Sequence, residues 1–264
     1  MGGFLIVNPR SGSDRPTSDE LMDEARSRGV ETHVLRHAED PAELARKAEA
    51  DALGVAGGDG SLGPVASVAI ERDVPFVCVP FGTRNHFAGD LGLDRDDPIA
   101  ALNAFGGRER RVDVGRVDEQ VFLNNVSIGM YARLVHAREH RRRRREALAR
   151  LRAVLTAFRH RTPRGLFVDG EPVVCRVLLV ANNGYELEPF SVAERERLDE
   201  GALHLYAGTG ILRSHWVERR AERFTVDASA GVVDAAVDGE PARLETPIEL
   251  RIDPLALRVL LPPA

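Results

Sequence analysis

Over its first 115 residues the chain alternates short apolar runs with stretches of helical periodicity, and no other feature limits the fold as strongly. GFLIV (3–7) is strand-like, and TSDELMDEARSRG (17–29) begins on Ser and Asp and stops on Gly, as a capped helix does. VETHVL (30–35), a helix through PAELARKAEA, the run ALGVA, a helix from Leu62 to Arg72 and PFVCVP (75–80) continue the rhythm. A loop rich in Gly and Asn follows, then a helix over PIAALNAF. Strands separated by helical patterns of about 10–15 residues imply βαβ units and a parallel sheet.

From about Arg108 the pattern changes. VDVGRV, QVFLNNVSIG, RGLFV, PVVCRVLLVAN, GALHLYAG, RFTVDAS, VVDAAVDG, PIELRID and ALRVLLP are β-rich and punctuated by Gly, Pro and Asp. This spacing predicts antiparallel strands in a sandwich-like domain, interrupted by one helical stretch over 130–161. The expected division is an α/β N-terminal domain with a parallel sheet over residues 1–118 and a mostly β sandwich over 119–264, the last strand being free to pack back on the first domain. A chain of 264 residues that is 43% hydrophobic and 29% charged can bury such cores, which excludes disorder. No apolar run approaches the ~20 residues of a membrane span, and the N-terminus is too soon broken for a signal peptide, so a cytoplasmic protein is expected. Cys78 and Cys175 lie inside apolar runs and read as small core hydrophobes.

Lys47 is the only lysine, in ELARKAEA with no glycine-rich loop before it. A Walker-type P-loop and a Schiff-base mechanism both need a lysine, so neither class fits. The net charge of −5 is unevenly spread. Between Arg133 and Arg164 stand twelve Arg and two acids, about +10, leaving about −15 for the remainder. Within that stretch Arg141, Arg142, Arg143, Arg144 and Arg145 cover every face of a helix, which is not an amphipathic membrane helix; the run reads either as a solvated, salt-bridged helix or as added attraction to an anionic leaflet. No aromatics interleave these arginines, which argues against nucleic acid. His136 and His140 fit an HxxEH pattern, but the surrounding arginines repel a dication, and surface histidines are the better reading.

The strongest local signal is Gly57-Gly58-Asp59-Gly60-Ser61, between the strand-like ALGVA and the helix from Leu62. Glycines let a backbone approach a ligand with its N–H groups forward, and the helix N-terminus adds a positive dipole end, so the turn suits phosphate or serves as an ordinary tight turn. The Asp59 carboxylate would repel phosphate unless a cation intervened, which points to Mg²⁺. The overlapping GxGxxG follows the third strand and not the first, and Asp59 spoils a GxSxG elbow at Ser61. Asn8-Pro9-Arg10-Ser11-Gly12 follows the first strand, and Pro80-Phe81-Gly82-Thr83-Arg84-Asn85-His86-Phe87 follows the fourth. Ligands of open α/β sheets bind beyond the carboxyl ends of strands, so these loops are expected at one crevice, with Arg10 and Arg84 as phosphate cations.

NPRSG, GGDGS, PFGTRNHFAGDLGL, VDVG, NNVSIG, LDEG and the late VDGEP together resemble, in order and spacing, the diacylglycerol kinase catalytic-domain family. The resemblance covers nearly the whole chain. It implies a NAD-kinase/diacylglycerol-kinase-like α/β domain, a β-sandwich domain for the lipid, and transfer of the γ-phosphoryl group of ATP to a lipid hydroxyl such as that of a diacylglycerol or sphingoid base. By motif, Asn8, Gly58, Asp59, Gly60, Ser61 and Thr83 would line the nucleotide site, Asp59 and Asp113 would organise Mg²⁺ through water, and Asp238 and Glu240 would form the acidic pair near the hydroxyl, with Glu240 as general base. Such roles suit a reaction governed by positioning and charge neutralisation.

VDGEP also occurs at 168–172, where Asp-Gly signals a hairpin turn. Only the family comparison selects Glu240 over Glu171. His86 stands where relatives carry Asp, and a neutral imidazole does not replace a carboxylate around Mg²⁺. LDEG replaces LDDG, leaving Asp199 or Glu200 as candidates for a structural metal. The rival readings are a NAD kinase-like enzyme, which lacks its Glu at Asn125, and a non-catalytic nucleotide- or lipid-binding relative. The partners implied are a lipid at a membrane surface, with peripheral contact at the inner face through Arg141–Arg145, and a homodimer is left open.

Overall fold

The structure is a computed structural model and describes residues 2–11, 16–129, 165–185, 187–188, 191–192, 195–208 and 216–263. The helical reading of 130–161, the His136–His140 pair and the arginine run 141–145 lie outside the described residues. The chain forms two compact units, one of residues 1–114, 194–200 and 253–264, the other of residues 115–193 and 201–252.

In the first unit β1 (Gly3–Val7), α1 (Ser18–Ser27), β2 (Val30–Val34), α2 (Pro41–Lys47), β3 (Ala52–Gly57), α3 (Leu62–Glu71), β4 (Phe76–Pro80), α4 (His86–Asp90) and α5 (Pro98–Ala101) alternate, followed by β5 (Arg108–Val117). The parallel sheet has the order β2-β1-β3-β4. Strands β1, β3 and β4 are apolar along their whole length because both faces are covered, whereas the edge strand β2 carries Glu31, Thr32 and His33; Leu5, Val7, Ala56, Val77 and Val79 pack with Leu21, Met22 and Ala25 of α1. Thr17 and Glu20 close a capping box on α1, the Glu20 amide donating to Thr17 Oγ1 at 3.2 Å and the Thr17 amide to Glu20 Oε2 at 2.8 Å. Helix α2 ends at Lys47 and not at Ala50 as its pattern predicts. The cause is Arg72, whose guanidinium donates to the carbonyls of Ala45, Ala48 and Ala50 at 2.8–2.9 Å and draws the chain out of the helix. PIAALNAF likewise supplies only α5 and a 3₁₀ turn over Leu102–Gly106.

In the second unit the strands are β6 (Gln120–Phe122), β7 (Asn125–Gly129), β8 (Leu166–Val168), β9 (Glu171–Val173), β10 (Val177–Asn182), β11 (Leu187–Glu188), β12 (Ser191–Val192), β13 (Leu203–Gly208), β14 (Trp216–Ala221), β15 (Arg223–Ala228), β16 (Val232–Val237), β17 (Glu240–Glu245) and the first part of β18 (Ile248–Leu261). One sheet runs β14-β13-β10-β7-β16-β17 and the other joins β18, β15, β8 and β9, with antiparallel pairing within each. On β15, Phe224, Val226 and Ala228 are buried and Arg223, Thr225 and Asp227 are exposed, the alternation of a half-buried strand. The inward side chains of both sheets, among them Phe122, Ile128, Val180, Leu205, Phe224 and Leu250, form one core, so the unit is a β-sandwich. Cys175 is free and buried in it. Strand β14 escapes the sequence pattern because, as a sheet edge, it carries exposed Glu218, Arg219 and Arg220.

PIELRID and ALRVLLP form a single 14-residue strand, β18, whose end returns to the first unit, where Val259 pairs in parallel with Phe76 of β4. No helix among the described residues is long and apolar enough to cross a membrane. The return of β18 leaves no room at Gly107, where a Cβ would run into the carbonyl oxygen of Leu261. Gly107→Ala is expected to cost about 1–3 kcal/mol and to lower the thermal midpoint. Gly106→Ala, whose Cβ would meet nothing within 4 Å, serves as the control.

Candidate functional site

The strand order of the first unit sets the place of the site. From β1 the chain crosses to β2 on one side, and from β3 it crosses to β4 on the other, so the order reverses between β1 and β3. At such a switch point a crevice opens beyond the carboxyl ends of the strands. Asn8 and Arg10 follow β1, Gly58–Ser61 follow β3, and Phe81–Asn85 follow β4.

Hydrogen bonds tie these loops together. The Asn8 amide donates to the Ala56 carbonyl at 2.8 Å, its Oδ1 accepts the Arg10 amide at 3.1 Å, and its Nδ2 donates to Ser61 Oγ at 2.9 Å. Ser61 thus latches two loops and is not aimed as a nucleophile. The Phe81 amide donates to the carbonyl of Gly57, a buried residue, at 3.2 Å. Gly82 and Gly58 pass backbone against backbone: a Cβ on Gly82 would stand 2.5 Å from Gly58 Cα and 2.8 Å from Asn85 Oδ1. Arg10, Thr83, Arg84 and His86 are exposed at these loops, and Gly60 is half-buried among them.

Asp59 joins the third loop to the fourth. Helix α4 has five residues, and its N-cap Asn85, at φ 50°, makes no side-chain capping bond. The capping carboxylate comes instead from Asp59, which accepts the amides of His86 at 3.2 Å and Phe87 at 3.0 Å. Burial and the Asp59 charge push the Cys78 thiol up, so this cysteine is an inert part of β4. Asn85 donates through Nδ2 to the Gly82 carbonyl at 2.9 Å, while its Oδ1, in a residue only 5% exposed, is buried without a hydrogen-bond partner.

Asp113 lies inside β5 at 1% exposure. Its Oδ1 accepts the Leu255 amide at 2.8 Å, holding Leu255 at φ 52°, and its own amide donates to the Leu198 carbonyl at 2.7 Å. Asp199 is exposed and accepts from Arg197 Nε at 3.1 Å. Among the described residues no group of three or more His, Cys, Asp and Glu gathers to hold a metal ion, with Asp59, Asp113, Asp199 and Glu200 all described.

In the second unit the two VDGEP copies adopt the same turn. Asp169 and Gly170 have φ 53° and 83°, and Asp238 and Gly239 have φ 48° and 83°, the paired positive values of a two-residue hairpin. Their surroundings differ. Asp238 accepts three amides, from Leu123 at 2.8 Å, Asn124 at 2.8 Å and Asn125 at 3.1 Å, and returns its own amide to the Asn125 carbonyl at 2.9 Å. These bonds break QVFLNNVSIG into β6 and β7, and they bind the VDGEP turn to the Asn-Asn motif. Asp169 instead takes the Thr225 amide at 2.9 Å and Arg219 at 2.7 Å. Glu240 and Glu171 are both exposed at the first position of their strands.

The donor sets fit different ligands. Loop backbones packed glycine to glycine and half-buried amides suit a polyphosphate, while the orphaned buried acceptor Asn85 Oδ1 calls for a donor such as a hydroxyl or amino group elsewhere on the ligand. The half-buried Asp59 carboxylate, which accepts the amides of His86 and Phe87, is a hard oxygen donor of the kind that Mg²⁺ takes together with phosphate and water. The pair that sequence reasoning missed is Asp90 with Arg195, an ion pair whose side chains are 2% and 0% exposed, because an arginine in SVAERERLDEG gives no sign of burial. If the loops form a ligand cradle, Gly82→Ala abolishes nucleotide binding in a calorimetric titration while the far-ultraviolet spectrum stays native.

The family model of the diacylglycerol kinase catalytic domain matches residues 3–117. The Chromohalobacter salexigens protein named "Probable lipid kinase YegS-like" is 31% identical over 241 residues, which cover 85% of this chain and 75% of that protein. Diacylglycerol kinase of Bacillus subtilis is 30% identical over 142 residues, covering 50% of this chain and 47% of that protein's length. In the fold, a diacylglycerol kinase crystal structure from Bacillus anthracis superposes with a TM-score of 0.69 at 17% identity, over 98% of this chain and 96% of that one. With its ordered motifs, its α/β and β-sandwich units and these relatives, the chain belongs to the diacylglycerol kinase catalytic-domain family of lipid kinases.

Proposed function

We propose that the chain transfers the γ-phosphoryl group of ATP to the hydroxyl of a lipid of diacylglycerol or sphingoid type, at a membrane surface. The observation that carries the reading is the joining of three loops at the β1/β3 switch point by Asn8–Ser61, Gly58–Gly82 and Asp59–His86/Phe87. The amides of Gly58, Gly60 and the following turn face the phosphates, and Arg10 and Arg84 neutralise them from the loop edges. Asn8, Ser61, Thr83 and Asn85 hold the remaining nucleotide contacts. Mg²⁺ arriving with ATP would be held through Asp59, with Asp113 supporting it, and would neutralise charge on the transferring group. Glu240 accepts the proton as the lipid oxygen bonds to the γ-phosphorus and ADP leaves. Asp238, with three amides on its carboxylate, serves by fixing the turn that presents Glu240. The arginine run 141–145 supplies attraction to anionic lipid, at about 1 kcal/mol for each residue near the surface.

The test is transfer of labelled γ-phosphate from ATP to a total lipid extract with Mg²⁺, comparing wild type, Glu240→Ala and Glu171→Ala. A labelled lipid is expected with wild type and Glu171→Ala, and a rate about 10²–10⁴-fold lower with Glu240→Ala. Equal loss in both variants, or in neither, contradicts the assignment of the base.

A further inference from the structure

We propose that Arg195 is a positioning residue of the nucleotide site, acting through Asp90 on α4; this rests on the nucleotide reading of the loops. Asp90 closes α4, and one residue, Arg195, grips both oxygens of its carboxylate. The Arg195 amide donates to Oδ1 at 2.9 Å, and Nε and Nη2 donate to Oδ2 at 2.8 and 2.6 Å. Both side chains are out of solvent, at 2% and 0% exposure.

A five-residue helix has no stability of its own, since nucleation costs more than one turn returns. Helix α4 is fixed by its surroundings: Phe87 and Ala88 are buried, the Asp59 carboxylate binds its first amides, and Arg195 holds its last residue. A shift of Asp90 therefore shifts the helix whose first turn carries Asn85 and the two amides that meet Asp59. A buried ion pair is a poor source of net stability compared with apolar packing. Its value lies in direction, because a forked guanidinium and a planar carboxylate meet in few orientations.

The donor's origin adds a consequence. Arg195 belongs to residues 194–200, which join the first unit although the strands on either side, β12 and β13, belong to the second. A second bond, from the Asp113 amide to the Leu198 carbonyl at 2.7 Å, anchors the same segment. Linkage is reciprocal, so a nucleotide that orders the loop before α4 also strengthens the hold on this segment.

The experiment compares wild type, Arg195→Met and Arg195→Lys in two measurements that need no lipid. One is calorimetric binding of ATP with Mg²⁺. The other is amide hydrogen exchange over 82–91, with the strand segments 3–7 and 52–57 as internal reference. The expected result is ATP binding weakened about 10-fold in Arg195→Met, faster exchange confined to 82–91, and partial recovery in Arg195→Lys. Wild-type binding and exchange in Arg195→Met overturns the proposal and leaves the nucleotide reading intact. Should Arg195→Met exchange fast in every segment, Arg195→Lys decides, and a native exchange pattern with unweakened binding there overturns the proposal. Failure of the wild type to bind ATP overturns the nucleotide reading, and this inference with it.

Discussion

The Asp59 carboxylate on the first amides of α4 is the bond on which the first unit's loops depend. It places a full negative charge at the positive end of a helix that starts 27 residues later. Without it the amides of His86 and Phe87 would lack a capping acceptor from the protein, because Asn85 sits at φ 50° and does not cap the helix itself. With it, the loops after β3 and β4 become one body, and Asn8 adds the loop after β1 through Ser61. Polyphosphate recognition needs amides fixed before the ligand arrives, since ordering them afterwards would be subtracted from affinity.

The two VDGEP hairpins separate local from global information. Asp-Gly dictates the turn at both positions, through two residues at positive φ. The role of each turn depends on the neighbours of its Asp carboxylate. At Asp169 the carboxylate meets a strand amide and a surface arginine, and the result is a solvated hairpin. At Asp238 it gathers three consecutive amides, those of Leu123, Asn124 and Asn125, which tie the turn before Glu240 to the Asn-Asn segment. Identical pentapeptides thus meet different surroundings because of residues 50–56 positions from Asp169 and 113–115 positions from Asp238.

Legibility in the sequence followed the range of the physical signal. The α/β character of the first unit, the capped start of α1, read at Ser and Asp and found at Thr17 just before them, and the Asp-Gly turns are written in adjacent residues, and the structure has them. The loops that carry Asn8, Asp59, Ser61 and Gly82 were legible because glycine and asparagine after a strand mark a special backbone. Helix α4 was not, since its cap comes from Asp59 and not from its own segment. The early end of α2 was set by Arg72, and the burial of Arg195 by Asp90, partners 22–27 and 105 residues distant. Strand β14 was hidden by its charges, which an edge strand carries for its own protection.

Phosphorus NMR of a reaction containing ATP, Mg²⁺ and diacylglycerol in mixed micelles tests the central claim most directly. The account predicts that the γ-phosphate signal falls as a lipid phosphomonoester and ADP rise in equal amounts, with no inorganic phosphate required. ATP that stays intact, or that yields only inorganic phosphate and ADP, would contradict phosphoryl transfer to a lipid hydroxyl.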